Sequence, residues 1–353
     1  MIDFFSIEII GKIFRKNQQN QSDYLGRLSS GTIRHIFTRG STKRLFEITF
    51  FGTSASAPSI RRGLPAQLIK HDEFRFLVDC GEGTQRQILK SGVGFKRLNR
   101  ILITHGHLDH ILGLGGLLST ILRWESMDEI EIYAGDMALE RIEDLIYKVV
   151  LRGTESPIPI HLKQLQSGPF FENENFQISA VPVSHRGTGC FGFVFDEKGK
   201  RPFLPEKAEE LQIPIGPWRK DLVMGKAVTL PDGRQIDPEM VLGEHRRGTR
   251  LVYIGDVGKT AELVEPCRDA DMLVIEATYI ESEKHMARKF GHLTALDAAK
   301  LAAEAGVKEL VLTHISRRYR EKDILQEAQS AFENVTIAHD LDVKQIRRAD
   351  DDL

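Results

Sequence analysis

The sequence predicts an α/β protein. Short runs rich in Val, Ile and Leu recur along the chain, helical patterns fall between several of them, and one run after another stops at a histidine or an acid. The first run, "RLFEITFFGTSAS" (44–56), is a strand entering a Gly/Ser turn. "FRFLVDCGEG" (74–83) repeats the design and stops at Asp79, and "NRILITHGH" (99–107) stops at His105 and His107. "FQISAVPVSH" (176–185), "GCFGFVF" (189–195), "RLVYIGD" (250–256), "DMLVIEAT" (271–278) and "ELVLTH" (309–314) follow. Helical periodicity occupies 111–123, 136–150, 294–305 and 321–332. Loops at one edge of layered sheets converge, so Asp79, His105, His107, His185, Asp256, Glu276 and His314 are expected to share a cleft.

Bulk properties narrow the class. The 353 residues are enough for one large core or two domains, and 41% hydrophobic with 28% charged residues excludes a disordered chain. A net charge of −2 gives no global push toward nucleic acid, so any such binding rests on local patches. Cys80, Cys190 and Cys267 have no CxxC spacing, which argues against a disulfide framework or a thiolate metal site and fits a reducing cytoplasm. No apolar run approaches the roughly 20 residues that span a bilayer.

Two stretches stand apart from the alternation. "MIDFFSIEIIGKIF" is broken by Asp3, Glu8 and Lys12 and makes a poor signal peptide. Residues 1–45 therefore read as a polar N-terminal extension, although a transit peptide shares the Arg- and Ser-rich, acid-poor composition of 15–44. Residues 197–249 hold six of the thirteen prolines, which discourages ladder strands and long helices. We expect an inserted arm without a core of its own. A short tail, 346–353, closes the chain.

The densest chemistry lies in "ILITHGHLDHILGLGG" (101–116). His105 and His107 leave a strand on one side, a spacing that lets two imidazoles grip one cation. Asp109 and His110 open the following helix and turn toward a second cation. Leu112, Leu114, Leu117, Leu118, Ile121 and Leu122 are expected to form that helix's buried face. A single HxH is commonplace; HxHxDH joined by His185, Asp256 and His314 at later strand ends is not. Imidazole with carboxylate suits Zn²⁺, or Mn²⁺ and Fe²⁺.

These motifs resemble the metallo-β-lactamase fold, and more narrowly its ribonuclease Z branch, the endonucleases that trim tRNA precursors at the 3′ end. "FFGTSASAP", "FLVDCGEGTQRQIL", "PVSHRGTGCFGFVF", "LVYIGD", "IEAT" and "LTHISRRY" stand in family order, and "IPIGP" and "VTLPDGRQIDPEMVLG" resemble the family's arm. The likeness covers residues 46–345. It implies a four-layer αββα sandwich as one catalytic domain, two zinc ions, a precursor tRNA substrate and a homodimer. It also implies one ion on His105, His107 and His185, the other on Asp109, His110 and His314, and Asp256 bridging both. Asp79 would stand behind the ligands and fix an orientation. Glu276 and His292 resemble the acid–base pair that protonates the leaving 3′ oxygen, and Asp109 would take the water's proton.

Several positions depart from the family. Its Pro-x-Lys-x-Arg-Asn loop is "PSIRRG" here, with Ile60 at the lysine place, Gly63 at the asparagine place and Arg62 retained. Val257, Ile275 and Leu293 replace the usual threonine, histidine and serine. Arg62 and the arm's Arg219, Lys220 and Lys226 are the candidate contacts to RNA phosphates. The nearest rival reading keeps the metal chemistry and drops the tRNA, leaving a diesterase for small or cyclic phosphodiesters.

Overall fold

The computed structural model describes residues 45–124 and 127–347. All but the last residue of the 1–45 extension, and the tail beyond residue 347, lie outside the described residues. Ile346 is buried, and its amide donates to the Phe46 carbonyl, so the core runs one residue past the expected boundary.

Two mixed seven-stranded sheets make the body. The first half of the chain supplies β1 (Glu47–Gly52), β2 (Ala66–His71), β3 (Phe74–Val78), β4 (Arg100–Leu102), β5 (Ile130–Ala134) and β6 (Ile160–Gln164). The second half supplies β7 (Gly168–Glu172), β8 (Phe176–Pro182), β9 (Phe191–Glu197), the arm's short β10 (Val228–Thr229) and β11 (Gln235–Ile236), then β12 (Arg250–Tyr253), β13 (Met272–Glu276), β14 (Glu309–Thr313), β15 (Val335–Ile337) and β16 (Val343–Gln345). The sheet orders are β16-β1-β2-β3-β4-β5-β6 and β15-β14-β13-β12-β9-β8-β7. In each sheet the pairs change from antiparallel to parallel partway across. The final strand crosses back to pair with β1 and close the first sheet.

Three apolar layers hold this arrangement. Phe46, Phe50, Phe76, Phe176, Phe193, Phe195 and Tyr253 pack between the sheets, many ring edges meeting ring faces. Leu114, Leu117, Leu118 and Ile121 of the Gly113–Trp124 helix cover the first sheet, and Ala298, Leu301 and Ile324 cover the second. The layers run helix, sheet, sheet, helix, as the resemblance implies.

Some expectations need correction. Leu112 is exposed, because one short helix (Leu108–Ile111) ends there and a second begins at Gly113. The pattern at 136–150 splits into an α-helix, Asp136–Glu143, and a wider π-turn, Asp144–Val150. The 197–249 arm does have a small core: Ala208, Ile213, Leu222, Val228, Leu230, Ile236 and Val241 bury one another beneath Trp218 and Phe203. Three of its six prolines (Pro205, Pro217, Pro238) stand at helix starts, where a missing N–H costs nothing.

Candidate metal centre

The candidate residues meet where strands of both sheets end. Asp79 follows β3 and His314 follows β14, both in the left-handed backbone region (φ 58° and 53°) that non-glycine residues occupy at some cost. The turn at Cys80–Gly81 receives the helix start: the Gly113 amide donates to the Cys80 carbonyl, and a β-carbon on Gly113 would overlap the Gly81 carbonyl. Only glycine lets that helix seat so deeply, and its seat places His110 against Asp79. Asp256 sits three residues past the end of β12 and is buried.

Asp256 has one oxygen for each histidine group. Its Oδ2 lies 3.7 Å from His105 Nε2 and 3.8 Å from His185 Nε2. Its Oδ1 lies 3.5 Å from His110 Nε2 and 3.3 Å from His314 Nε2. His107 joins the first group through Nδ1, 2.9 Å from His105 Nε2 and 3.3 Å from His185 Nε2. Asp109 Oδ2 joins the second at 3.7 Å from both His110 Nε2 and His314 Nε2.

The donor set suits two divalent cations. His110 Nε2, His314 Nε2 and Asp256 Oδ1 are buried without a hydrogen-bond partner, which is costly unless something else takes their lone pairs. The groups His105–His107–His185–Asp256 and Asp109–His110–His314 each bring their ligand atoms within 4.8 Å of one another. His292 also comes near Asp256 and His314, but its Nδ1 faces the Glu276 carboxylate at 3.0 Å. That separates it from the ligands.

Ring partners on the far side fix which nitrogen faces inward. Gly291's carbonyl accepts from His185 Nδ1 at 2.7 Å, and Asp79 Oδ2 accepts from His110 Nδ1 at 2.8 Å. Asp79 is in turn held by the Thr104 amide and hydroxyl. Thr278 gives its hydroxyl proton to Glu276 Oε2 (2.5 Å) and so accepts from His314 Nδ1 (2.8 Å). Glu276 Oε1 takes the His292 proton and the Val257 amide. One buried carboxylate therefore orients both His314 and His292. Sequence reasoning missed Thr104 and Thr278; the threonine two residues after Glu276 in "IEAT" was the available signal.

The electrostatics divide the histidines. Burial, then the neighbouring imidazoles, pushes His105 well below the usual range, and burial pulls His107 and His185 down as well, so all three favour the neutral, ligating form. Burial also opposes the charged form of His110, but the Asp79 and Asp256 carboxylates outweigh it and push that ring well up. Burial acts on His292 too, and Glu276 and Asp256 still hold it up to about 9. For Asp109 burial is overcome by the His314 hydrogen bond and His110, which keep it an anion far below the usual carboxylate range. That suits a ligand better than a proton acceptor.

The candidate RNA contacts fare differently. Arg62 is buried, and its guanidinium donates to Thr53 Oγ1, the Ala338 carbonyl and Glu321 Oε1, each at 2.6 Å. It ties the first turn to the chain's last elements. Arg219 donates to the Ile213 carbonyl and lies over Phe203, bracing the arm from within. Lys220 and Lys226 are exposed. Ile60 is fully exposed on a cavity of about 440 Å³ shared with Arg61, Arg86 and Lys90. Ile275 and Leu293 are buried in the helix-covered layer, and Val257 reaches Glu276 only through its backbone, a contact any residue supplies.

The chain is similar to known proteins over most of its length. A family described as Anti-Pycsar protein Apyc1 matches residues 46–201, and the beta-lactamase superfamily domain matches residues 233–315. Ribonuclease Z of Bradyrhizobium diazoefficiens is 47% identical over 298 residues, covering 84% of this chain and 99% of that protein. Ribonuclease Z of Archaeoglobus fulgidus is 41% identical over 302 residues, covering 84% and 96%. The crystal structure of human tRNase Z, short form, superposes with a TM-score of 0.60 at 27% identity, covering 86% of this chain and all of that one. With strand-end histidines gathered around one shared carboxylate and identity of this extent, the chain belongs to the ribonuclease Z family of metallo-β-lactamase-fold hydrolases.

Proposed function

We propose that this protein is a metal-dependent endoribonuclease that removes the 3′ trailer of tRNA precursors, leaving a 3′-hydroxyl on the tRNA and a 5′-phosphate on the trailer. The observation that carries the reading is Asp256, whose two buried oxygens each face a separate group of histidines. His105, His107 and His185 would hold one ion, Asp109, His110 and His314 the other, and Asp256 both. Two Zn²⁺ ions suit the imidazole-rich donors best, with Mn²⁺ or Fe²⁺ the alternatives. Bound there, the ions supply charge neutralisation at the phosphate and acidify water.

The chain's own groups handle the leaving oxygen. Glu276 accepts the His292 Nδ1 proton and fixes the ring, leaving Nε2 to carry the second proton. With a pKa of about 9 the ring is an imidazolium at neutral pH and can protonate the departing ribose oxygen. Asp109 acts as a ligand and an orienting anion, and its role in taking the water's proton is secondary. Asp79 and Thr278 hold the His110 and His314 rings in the tautomer that presents Nε2.

Residues 46–345 form the catalytic domain, and the 197–249 arm, through Lys220 and Lys226, grips the body of the tRNA. Tyr147 and Val149 stand exposed on the Asp144–Val150 segment, which packs on the Gly113–Trp124 helix, and Leu112 stands exposed in the turn before that helix; a second copy would cover such apolar side chains in a homodimer. Three free, buried cysteines fit the reducing cytoplasm, and among the described residues no helix is long and apolar enough to cross a membrane.

The test is a side-by-side assay of the purified, metal-loaded protein on a precursor tRNA and on bis(p-nitrophenyl) phosphate, with the RNA ends identified. Trailer release leaving a 3′-hydroxyl on the tRNA supports the reading. Hydrolysis of the small diester with the precursor left intact favours the small-diester alternative.

A further inference from the structure

At the mouth of the site, Arg186 and Lys289 converge on one aromatic ring. The Arg186 guanidinium lies 5.0 Å from the centre of the Phe290 ring and Lys289 Nζ lies 5.5 Å from it. Both residues are exposed, and among the described residues neither forms an ion pair. Two exposed cations within 5.5 Å of one ring centre offer charged donors to an anion at this rim. Lys289 lies in the last turn of the Lys284–Phe290 helix, where a cation favours the helix dipole. That accounts for a positive charge there but not for Arg186, which comes from a different loop.

The backbone holds this rim against the catalytic residues. Arg186 directly follows His185, and His185 Nδ1 donates to the Gly291 carbonyl. Gly291 has φ 71°; a β-carbon there would lie 3.4 Å from His185 Nδ1 and 3.6 Å from Arg186 Cγ. The His292 ring lies tilted against His185 (5.1 Å between centres) and Tyr279 (6.1 Å). Gly258 packs on Gly291 and donates to the Ser184 carbonyl, bringing the exposed Lys259 to the same edge. Three cations thus border the His185–His292 side of the centre.

We infer that Arg186 and Lys289, seated on Phe290, bind the RNA phosphate that immediately precedes the scissile one. The inference rests on the tRNA reading above. His292 donates to the leaving 3′ oxygen, and the nucleoside attached to that oxygen extends past His292, away from Asp109 and His110. Its own 5′-phosphate then falls on the rim. A fork-shaped guanidinium and a flexible ammonium grip that phosphate without reading the base.

The experiment uses the full, metal-loaded chain on native precursor tRNA and on a precursor with one uncharged methylphosphonate at that phosphate. The double variant Arg186→Ala, Lys289→Ala should raise KM about tenfold or more on the native precursor with kcat little changed. The slope of log affinity against log salt should fall by about 0.7, the share of one neutralised single-strand phosphate. Wild-type protein should lose a similar factor on the methylphosphonate precursor, the double variant should lose nothing further there, and Arg186→Lys should recover part of the loss. Unchanged KM and salt slope in the double variant, or losses that multiply, would overturn the inference while cleavage by the wild type leaves the tRNA reading standing. No cleavage of native precursor by the wild type would overturn the reading, and the rim with it.

Discussion

The metal centre and the arm are built on opposite principles. In the centre, buried rings are held by buried carboxylates and hydroxyls: Asp79 on His110, Glu276 on His292, Thr278 on His314. In the arm, a few apolar residues enclose a small core and the lysines face water. The centre positions a few atoms closely; the arm offers charge on a separately packed unit. Chemistry and selection of a large substrate are therefore physically separable, and each can be removed while the other is measured.

The severest break in the centre is Asp256→Ala. Both metal equivalents and activity on every substrate should fall to background, checked by metal analysis beside the assays. Two tightly held ions in an active variant would remove Asp256 from its bridging place.

His292→Ala comes next. It should keep its metal yet lose about 10²–10⁴ in rate on precursor tRNA. The loss should shrink on bis(p-nitrophenyl) phosphate, whose leaving group scarcely needs a proton. Because the ring's pKa is raised, to about 9, the active imidazolium is present below that pH and lost as pH rises through it. The wild-type rate on precursor should thus decline on the alkaline side, and that limb should vanish in the variant. A limb that survives would assign the proton to another group.

Removing the arm inverts the pattern. Replacing residues 200–245 with a short Gly/Ser linker should lower kcat/KM on precursor tRNA on the order of a hundredfold, equivalent to about 2.8 kcal/mol of binding energy. Hydrolysis of bis(p-nitrophenyl) phosphate should hold near its original rate, since the arm contributes no metal ligand. Normal tRNA cleavage by the armless protein would cancel the contrast.

The smallest effect sharpens it. Arg62→Ala should lower stability by about 1–3 kcal/mol, because the Thr53 hydroxyl and the Ala338 carbonyl lose a buried donor. KM for precursor should not move. Thermal melting and steady-state kinetics separate the outcomes, and a KM effect without a melting shift would return Arg62 to the substrate.

The sequence made the centre legible because each donor closes a short apolar strand. A histidine or acid after "ILIT", "LVYIG" or "LVLT" has little reason to be there except a cleft at the sheet edge. Some strands were not legible. β6 ("IHLKQ") and β7 ("GPFFE") are half-exposed edge strands whose mixed pattern resembles a loop, and β16 is three residues long. Arg62's internal contacts were hidden for a different cause. Its partners Glu321 and Ala338 lie more than 250 residues further along the chain, and no local pattern announces such a contact. The tautomers were equally hidden, because His107 turns Nδ1 inward while His105 turns Nε2.

The base of the arm has a consequence for how such a chain can change. Glu197 takes the Thr249 amide and hydroxyl on its carboxylate, and its own amide donates to the Thr249 carbonyl. Bridges Lys200–Arg246 and Phe203–Leu242 continue the pairing outward. The two ends of the insertion are thus already side by side before its tip begins. Closing a loop whose ends meet costs entropy that grows only logarithmically with length, about 0.6 kcal/mol per doubling. Residues can be added to or deleted from the tip at small cost to the folded body, so the reach of this protein is free to drift while its catalytic centre stays fixed.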